Sequence, residues 1–590
     1  MSKEISAIQE TEPRSDVQVR FSDGRTFAAP RGTSLTQVLA AAFPGKEDPP
    51  VAAIVDGELR ELNRPVERDV DVLPIFVSDS DGMRIYARSL SFLLVVAFHE
   101  LFPEVRVIID YSVPQGGYYC RVEGREQLTS GELARIKVRM MELVREDRPI
   151  ERRRVSIDEA KATFRARGED GKVRLFDELS GDHVHLYVLN GVEDYFYGYM
   201  VSSTGALKTF ALEPFSAGFI LRFPRRDAPS KLLPSQRFTA LREVFDEYGR
   251  WLDLLGMRDV GSLNEAIRSG RIEQIILVSE ALHEKRITEI AAELADLHRS
   301  GTRMAVIAGP SASGKTTFSK RLAIQLLASG IHPYPLAMGD YFHPRAKLYK
   351  EFGDAVDFDS PNALDLPLLH DHLRRLAEGK RVTLPRYNFR TGKRERGDAV
   401  CLEPNQILLV EGIHGLIPEF LGDMPSTACY RIFVSALTQL NLDIHNRVST
   451  TDTRLIRRIV RDATYRGYSA EGTLRLWDDV RQGEKRYIFP YQEEADVLFN
   501  SALSYELAVL KPMVEPRLLQ VQDPVLRIEA ERLLGLLRWF EPQETQSIPD
   551  NSILREFIGG SILRDFLPMR TLNGDRYRLT HGNPDEEAAE

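Results

Sequence analysis

The stretch Gly309-Pro310-Ser311-Ala312-Ser313-Gly314-Lys315-Thr316 fits the pattern GxxxxGK[ST] and follows directly on an apolar run, Met304 to Ala308. A glycine-rich turn placed between a buried strand and a helix demands an α/β layer, with that strand inside a parallel sheet. The glycines let successive backbone N–H groups point inward at phosphate oxygens without interference from Cβ, and the helix behind offers its positive end. That helix reads from Phe318 to Leu327, with Phe318, Leu322 and Leu326 on one face. In such a cradle Gly309, Ser311, Ser313, Gly314 and Thr317 surround the phosphates. Lys315 reaches the β- and γ-phosphates, and the Thr316 hydroxyl is the expected Mg²⁺ ligand.

A phosphate cradle does not name its phosphate acceptor, but three downstream segments narrow the chemistry. Tyr334 to Ala337 reads as a second strand that ends at Asp340. An acidic side chain at the carboxyl edge of a parallel strand sits where open α/β sheets bind ligands, so Asp340 is the candidate base. A third strand, Ile407 to Val410, is continuously apolar, as a strand buried on both faces must be, and it ends at Glu411, the second candidate metal residue. Finally, the helix Arg454 to Asp462 places Arg454, Arg458 and Arg461 on one face and Leu455, Ile456, Ile459 and Val460 on the other. Guanidinium groups clustered this way suit a lid that neutralises charge developing on a transferred phosphoryl group.

Together these pieces resemble the uridine kinase and phosphoribulokinase family over residues 300 to 510, including Asp357-Phe358-Asp359-Ser360-Pro361 and Pro385-Arg386-Tyr387-Asn388-Phe389. The resemblance implies an ATP- and Mg²⁺-dependent nucleoside kinase in which Lys315 and Asp340 are catalytic. It further implies that Asp359 accepts from a ribose hydroxyl and that Tyr387 and Phe389 flank the base. Arg458 would reach the nucleoside, and Arg461 and Arg466 the phosphates. Four positions depart from the family pattern. The histidine that reads the pyrimidine edge corresponds to Gly392, a tyrosine to His343, the last lid arginine to Tyr468 and a ribose-contacting glutamine to Leu476. The acceptor is therefore less defined than the donor chemistry.

The N-terminal half reads differently. Residues 17–79 order as ββαββ, with Asp23-Gly24 and Asp56-Gly57 as turns, and resemble the TGS β-grasp module of threonyl-tRNA synthetases. Residues 80–225 open on a long apolar helix and resemble the second additional domain of those synthetases, an α+β fold that hydrolyses mischarged tRNA. The HxxxH pair of that domain corresponds here to Arg88 and Phe92, neither of which can act as a neutral imidazole. His183 and His185 share one strand face without an evident third ligand. Residues 226–300 read as a helical connector, 301–510 as the kinase-like domain and 511–590 as a helical extension with a polar tail. The order of domains resembles a bacterial group of uridine kinase-like fusions, for which Ile548 to Phe557 looks characteristic. The fold class expected is thus multidomain α/β: a parallel-sheet P-loop domain preceded by a β-grasp domain and a synthetase-editing-like α+β domain.

Composition excludes rather than selects. A net charge of −9 over 590 residues, with 28% charged and 43% hydrophobic, makes no global case for nucleic acid or membrane. An RNA or tRNA-like ligand of the N-terminal half therefore requires a local patch, and a regulatory or scaffolding role for that half is the other expectation. Cys120, Cys401 and Cys429 are far apart, which fits a reducing compartment, and no apolar run is long enough to span a bilayer. The chain is expected to be cytoplasmic, with a nucleoside partner and a homo-oligomer as an open alternative to a monomer. The competing readings are a tRNA-associated regulatory P-loop protein and a kinase of another small-molecule acceptor.

Overall fold

The computed structural model describes residues 14–566 and 568, apart from 180, 237, 354–355 and 423. The chain separates into two compact units: one running up to Gln236 together with Ile444–Asn446, the other comprising residues 237–443 and the chain from Arg447 on. No described helix is long and apolar enough to cross a membrane.

The first unit begins with a β-grasp sheet. Strands β1 (Asp16–Phe21), β2 (Thr26–Pro30), β3 (Pro50–Val55), β4 (Glu58–Arg60) and β5 (Val70–Phe76) order as β2-β1-β5-β3-β4, and α1 (Leu35–Ala42) covers one face. Ser34 starts α1 through a complete capping box with Gln37, so orphan backbone donors at that end are satisfied reciprocally. The long helix α2 (Ser80–Leu101) follows. Leu90, Phe92, Leu93, Leu94, Val96, Ala97 and Phe98 are all fully buried, which is why its apolar residues surround it on nearly every side. A Cβ at Gly82 would lie 1.8 Å from the Phe76 carbonyl oxygen, so only glycine lets α2 leave the sheet this closely.

Two small antiparallel sheets complete this unit. One contains β6 (Arg106–Ser112), β7 (Gly117–Glu123), β11 (Ala211–Phe215) and β12 (Gly218–Arg222), ordered β11-β12-β7-β6. The other contains β8 (Glu151–Ser156), β9 (His183–Leu189) and β10 (Val192–Asp194). In the chain α3 (Ser130–Arg145), capped by Thr129, joins β7 to β8, and the short helices α4 (Ile157–Ala166) and α5 (Asp170–Phe176) join β8 to β9. His183 and His185 fall on β9 as read. Among the described residues neither belongs to a group spaced to hold a metal.

The second unit opens with three helices, α6 (Thr239–Leu255), α7 (Val260–Arg268) and α8 (Ile272–Arg299), of which α8 packs on α9 (Lys315–Ala328). Its centre is a wholly parallel sheet. The strands β13 (Met304–Ala308), β14 (His332–Ala337), β17 (Gln406–Glu411), β18 (Cys429–Ser435) and β19 (Val497–Asn500) order as β14-β17-β13-β18-β19. Every residue of β13 is at most 1% exposed, as a central strand covered by helices on both faces requires. Helix α10 (Arg345–Phe352), helix α11 (Leu366–Ala377) and a hairpin of β15 (Val382–Asn388) and β16 (Lys393–Val400) lie between β14 and β17 in the chain. Helices α12 (Thr450–Tyr465), α13 (Ala470–Tyr487), α14 (Glu506–Leu518), α15 (Pro524–Leu537) and α16 (Arg555–Ile558) finish the unit.

Register decides where chemistry can occur. Ile307 of β13 and Ala337 of β14 both pair with Glu411, so the carboxyl ends of three neighbouring strands are level. From β13 the chain passes outward over β17 to β14, whereas from β17 it passes over β13 to β18. The order thus reverses at the strand that feeds the glycine turn, the position at which open α/β sheets leave a crevice for ligands.

Candidate active site

The turn between β13 and α9 has the conformation its glycines demand. Gly309 has φ +154° and Gly314 φ +83°, and a Cβ at Gly309 would stand 2.0 Å from the Val434 carbonyl oxygen. Ala312 also takes a positive φ, +57°, at the apex. The backbone here is shaped for an anion at the expense of ordinary geometry. Ser313 lines the resulting cavity, and its hydroxyl is buried with no hydrogen-bond partner among the described residues. An unpaired buried donor in a phosphate-shaped turn is the mark of a missing acceptor.

Lys315 folds back over the turn, its Nζ donating to the Gly309 and Pro310 carbonyls, each at 2.9 Å. Burial pushes its pKa down, and Glu411 partly opposes that shift. The Thr316 hydroxyl donates to Glu411 Oε1 at 2.9 Å, so the two residues read as a metal pair from positions 95 apart are in direct contact. Burial raises the Glu411 pKa, while Lys315 and the Thr316 hydrogen bond lower it. A hydroxyl and a carboxylate are the oxygen donors that a hard divalent cation takes.

The cavity, about 330 Å³, is lined by the turn, Asp359, Glu411, Arg458, Arg461 and Arg466, with Glu484 and Glu556 at its edges. Arg458 Nη1 donates to the Ser311 hydroxyl at 2.8 Å. A single buried carboxylate, Asp462, holds the three arginines, at 3.2 Å from Arg458, 3.0 Å from Arg461 and 3.5 Å from Arg466. Burial raises the Asp359 pKa, and Asp357 adds to the rise.

The expected arginine face divides. Arg454 is completely buried, paired with Glu484 and donating to the Ser311 carbonyl at 2.9 Å. It is therefore a strut beneath the turn, not a lid residue, because an ion pair removed from water cannot open without stranding a charge. Arg457, equally buried, pairs with Glu506. Glu484 also accepts the Ser311 N–H at 3.1 Å and pairs with Arg481 at 2.9 Å. Glu484→Gln is expected to cost about 1.5–3 kcal/mol, the range for a hydrogen bond to a charged group. Thermal unfolding checks this: a midpoint equal to that of the parent would remove Glu484 as the anchor of Arg454.

Of the residues expected on the acceptor side, three form a separate group. Asp340 sits in a 3₁₀ turn after β14, and its carboxylate accepts the Tyr387 N–H at 3.1 Å. Tyr387 and Phe389 meet edge to face at 4.9 Å, and each lies close to Phe342. Tyr387 is buried in that packing, whereas Phe389 is half exposed. Asp340, Tyr387 and Phe389 lie outside the lining of the phosphate cavity, and Asp359 lies within it. Leu476 and Tyr468 are exposed on or beside α13 and line no part of it.

Gly392 explains itself sterically. It has φ +67°, and a Cβ there would meet Arg345 Cβ at 2.8 Å, while Arg345 Nη2 donates to the Phe389 carbonyl at 3.0 Å. Arg345 thus occupies the space of any side chain at 392. Gly392→His is expected to destabilise the unit by at least about 1 kcal/mol from the positive φ alone. It is also expected to restore no base recognition. Denaturant unfolding beside a substrate titration checks both, and a variant of unchanged stability with new pyrimidine affinity would refute the steric account.

Glu484, Glu506, Asp462 and Glu556 carried no role in the sequence reading. For Glu484, Glu506 and Asp462 the signal is only the tertiary pairing of acids with a run of arginines, and for Glu556 it is a contact with Thr317. In the first unit, Arg88 donates to the Tyr199 carbonyl at 2.6 Å, and Phe92 packs 5.4 Å from Phe196. The two positions at which the resemblance leads one to expect a histidine pair thus hold a structural hydrogen bond and an aromatic core contact.

Comparison with known proteins divides the chain the same way. Residues 304–507 match the model of the family described as phosphoribulokinase / uridine kinase. The N-terminal part is similar to threonine–tRNA ligases. That of Burkholderia vietnamiensis is 31% identical over 254 residues, covering 42% of this chain and 39% of the ligase. That of Paraburkholderia phymatum is 34% identical over 197 residues, 33% of this chain and 31% of the ligase. The chain thus spans about two fifths or less of the length of the curated relatives it matches. A D-glycerate 3-kinase from Cryptococcus neoformans superposes with a TM-score of 0.22 at 16% identity, over 45% of this chain and 89% of that one.

Proposed function

Residues 304–507 form a phosphoribulokinase / uridine kinase family domain, and from that premise we propose that the chain is an ATP-dependent nucleoside kinase. It transfers the γ-phosphoryl group to the 5′-hydroxyl of uridine, cytidine or a related nucleoside. The observation that carries this reading is the 2.9 Å contact of Thr316 with Glu411 beside Lys315, in one cavity with three arginines.

In this reading the glycine turn and the start of α9 hold the triphosphate, and Ser313 gains the acceptor its hydroxyl lacks. Thr316 and Glu411 hold Mg²⁺, which when bound supplies charge neutralisation and orients the phosphates. Lys315 leaves the Gly309 and Pro310 carbonyls for the phosphate oxygens. Arg458, Arg461 and Arg466, pre-oriented by Asp462, meet charge that spreads over the transferred group. Asp340 orients the acceptor hydroxyl and takes its proton late, as a loose transition state requires. Phe389 offers a face to the base. The widely spaced free thiols support a cytoplasmic setting for this chemistry.

Labelled ATP offered with a panel of nucleosides, sugar phosphates and sugar acids tests the reading directly. Phosphorylation of a nucleoside at its 5′-hydroxyl is the expected result. Turnover only of sugar acids or sugar phosphates would overturn the acceptor while leaving the kinase.

The similarity of the N-terminal part to threonine–tRNA ligases favours a second reading for that part, a tRNA-like ligand that regulates the kinase. Binding of tRNA by the full chain with a steep salt dependence would support it. The acidic net charge weighs against it, and the residues at positions 88 and 92 weigh against an editing role.

A further inference from the structure

The segment Ile548 to Phe557, conspicuous in the sequence and idle in the mechanism above, ends against the phosphate cavity. Ser552, Ile553, Leu554 and Phe557 are fully buried, and the Phe557 ring lies 5.0 Å from the Arg457 guanidinium. A Cβ on Gly314 would stand 2.5 Å from Ile553 Cγ2, so Ile553 roofs the last glycine of the turn. Beyond it, the Leu563 and Arg564 carbonyls accept from Lys320 at 2.8 and 2.6 Å. The chain is thus anchored on both sides of Glu556.

From this seat Glu556 Oε2 accepts from the Thr317 N–H at 3.1 Å and from the Thr317 hydroxyl at 3.0 Å. Among the described residues these are the only hydrogen bonds of that carboxylate. The Thr317 N–H belongs to the first turn of α9, where no helix carbonyl can accept it and where the helix end carries partial positive charge. In a phosphate-binding turn that donor serves the anion. A carboxylate oxygen and a phosphate oxygen require the same position, and only one of them can lie 3 Å from the amide. Glu484 also accepts a turn amide, but it is locked between Arg454 and Arg481. Among the described residues Glu556 has no such lock.

Resting on the reading of this cavity as a nucleotide site, we propose that Glu556 is a built-in competitor for the donor nucleotide. Its carboxylate occupies the Thr317 donors until a phosphate group displaces it. The C-terminal segment therefore sets nucleotide affinity and loosens when nucleotide binds.

Calorimetric titration of the full chain with MgADP, on the parent, E556Q and K315A, tests this. E556Q keeps the size of the side chain but removes the anion, and it is expected to bind MgADP about tenfold more tightly than the parent. Affinity that is unchanged or weaker in E556Q overturns the inference. Hydrogen exchange of the parent is a second measurement that needs no variant. MgADP is expected to speed exchange across residues 548–557, and unchanged or slower exchange there overturns the inference as well. MgADP binding that K315A abolishes and E556Q leaves unaltered would remove the competitor and leave the nucleotide site standing. No MgADP binding by either the parent or E556Q would remove both. The identity of the phosphoryl acceptor does not enter any of these outcomes.

Discussion

Lys315→Ala is expected to lower kcat by about 10³-fold, the loss that follows removal of one preorganised charged donor from a phosphoryl-transfer site. Lys315 is the one lysine among the described residues lining the cavity. The neighbouring arginines cannot replace it, because Asp462 holds all three at 3.0–3.5 Å. At rest the ammonium is engaged with two carbonyls of the turn, and burial already lowers its pKa. An arriving phosphate adds to the negative charge of Glu411 and Glu556, so the interaction strengthens as charge develops. Lys315→Arg is expected to fail as a rescue, since a planar guanidinium cannot enter a space fitted to a compact ammonium. Steady-state kinetics with labelled ATP, beside a thermal midpoint matching the parent, is the check. Turnover within tenfold of the parent would exclude Lys315 from the transfer.

Asp340→Asn is expected to lower kcat by about 10²- to 10⁴-fold, the span typical of a positioned acid–base group, with little change in MgATP affinity. The split is the diagnostic part. Asp340 lies at the end of β14 outside the lining of the phosphate cavity, so its loss should leave donor binding intact. Asparagine keeps the size and one acceptor oxygen for the Tyr387 N–H, so the contact between the 3₁₀ turn and β15 is expected to survive. Unchanged turnover, or a loss that appears only in the KM for ATP, would take Asp340 out of the role of base.

Much of the fold was legible because its signals are local. Apolar runs of four or five residues, glycine turns and capping residues act within a few positions of one another. β13 and β17 therefore emerge from the same stretches that announce them, and α2 from its apolar repeat, whereas α9 begins at Lys315, ahead of the apolar repeat that reads from Phe318. The site was legible where chemistry follows strand ends. Thr316 and Glu411 were read separately, and parallel register brings them to 2.9 Å. The arginine helix was legible only in part. Its spacing puts Arg454 and Arg458 on one face, but nothing within the helix says that Glu484 covers the first and the cavity faces the second.

The amino-acid sequence alone announced many of the elements, the α/β class of the P-loop half and the residues proposed for the donor side of the site, since each rests on short-range periodicity and on motifs whose residues act together within one turn. Tertiary structure alone decided which charges work and which are buried struts. It also brought Asp462 under three guanidiniums, set Arg345 in the space at Gly392 and carried Glu556 across 239 positions to Thr317. The reason is physical: an ion pair or a steric exclusion depends on distance in space and on the water removed around it, and neither quantity is written in the local order of residues.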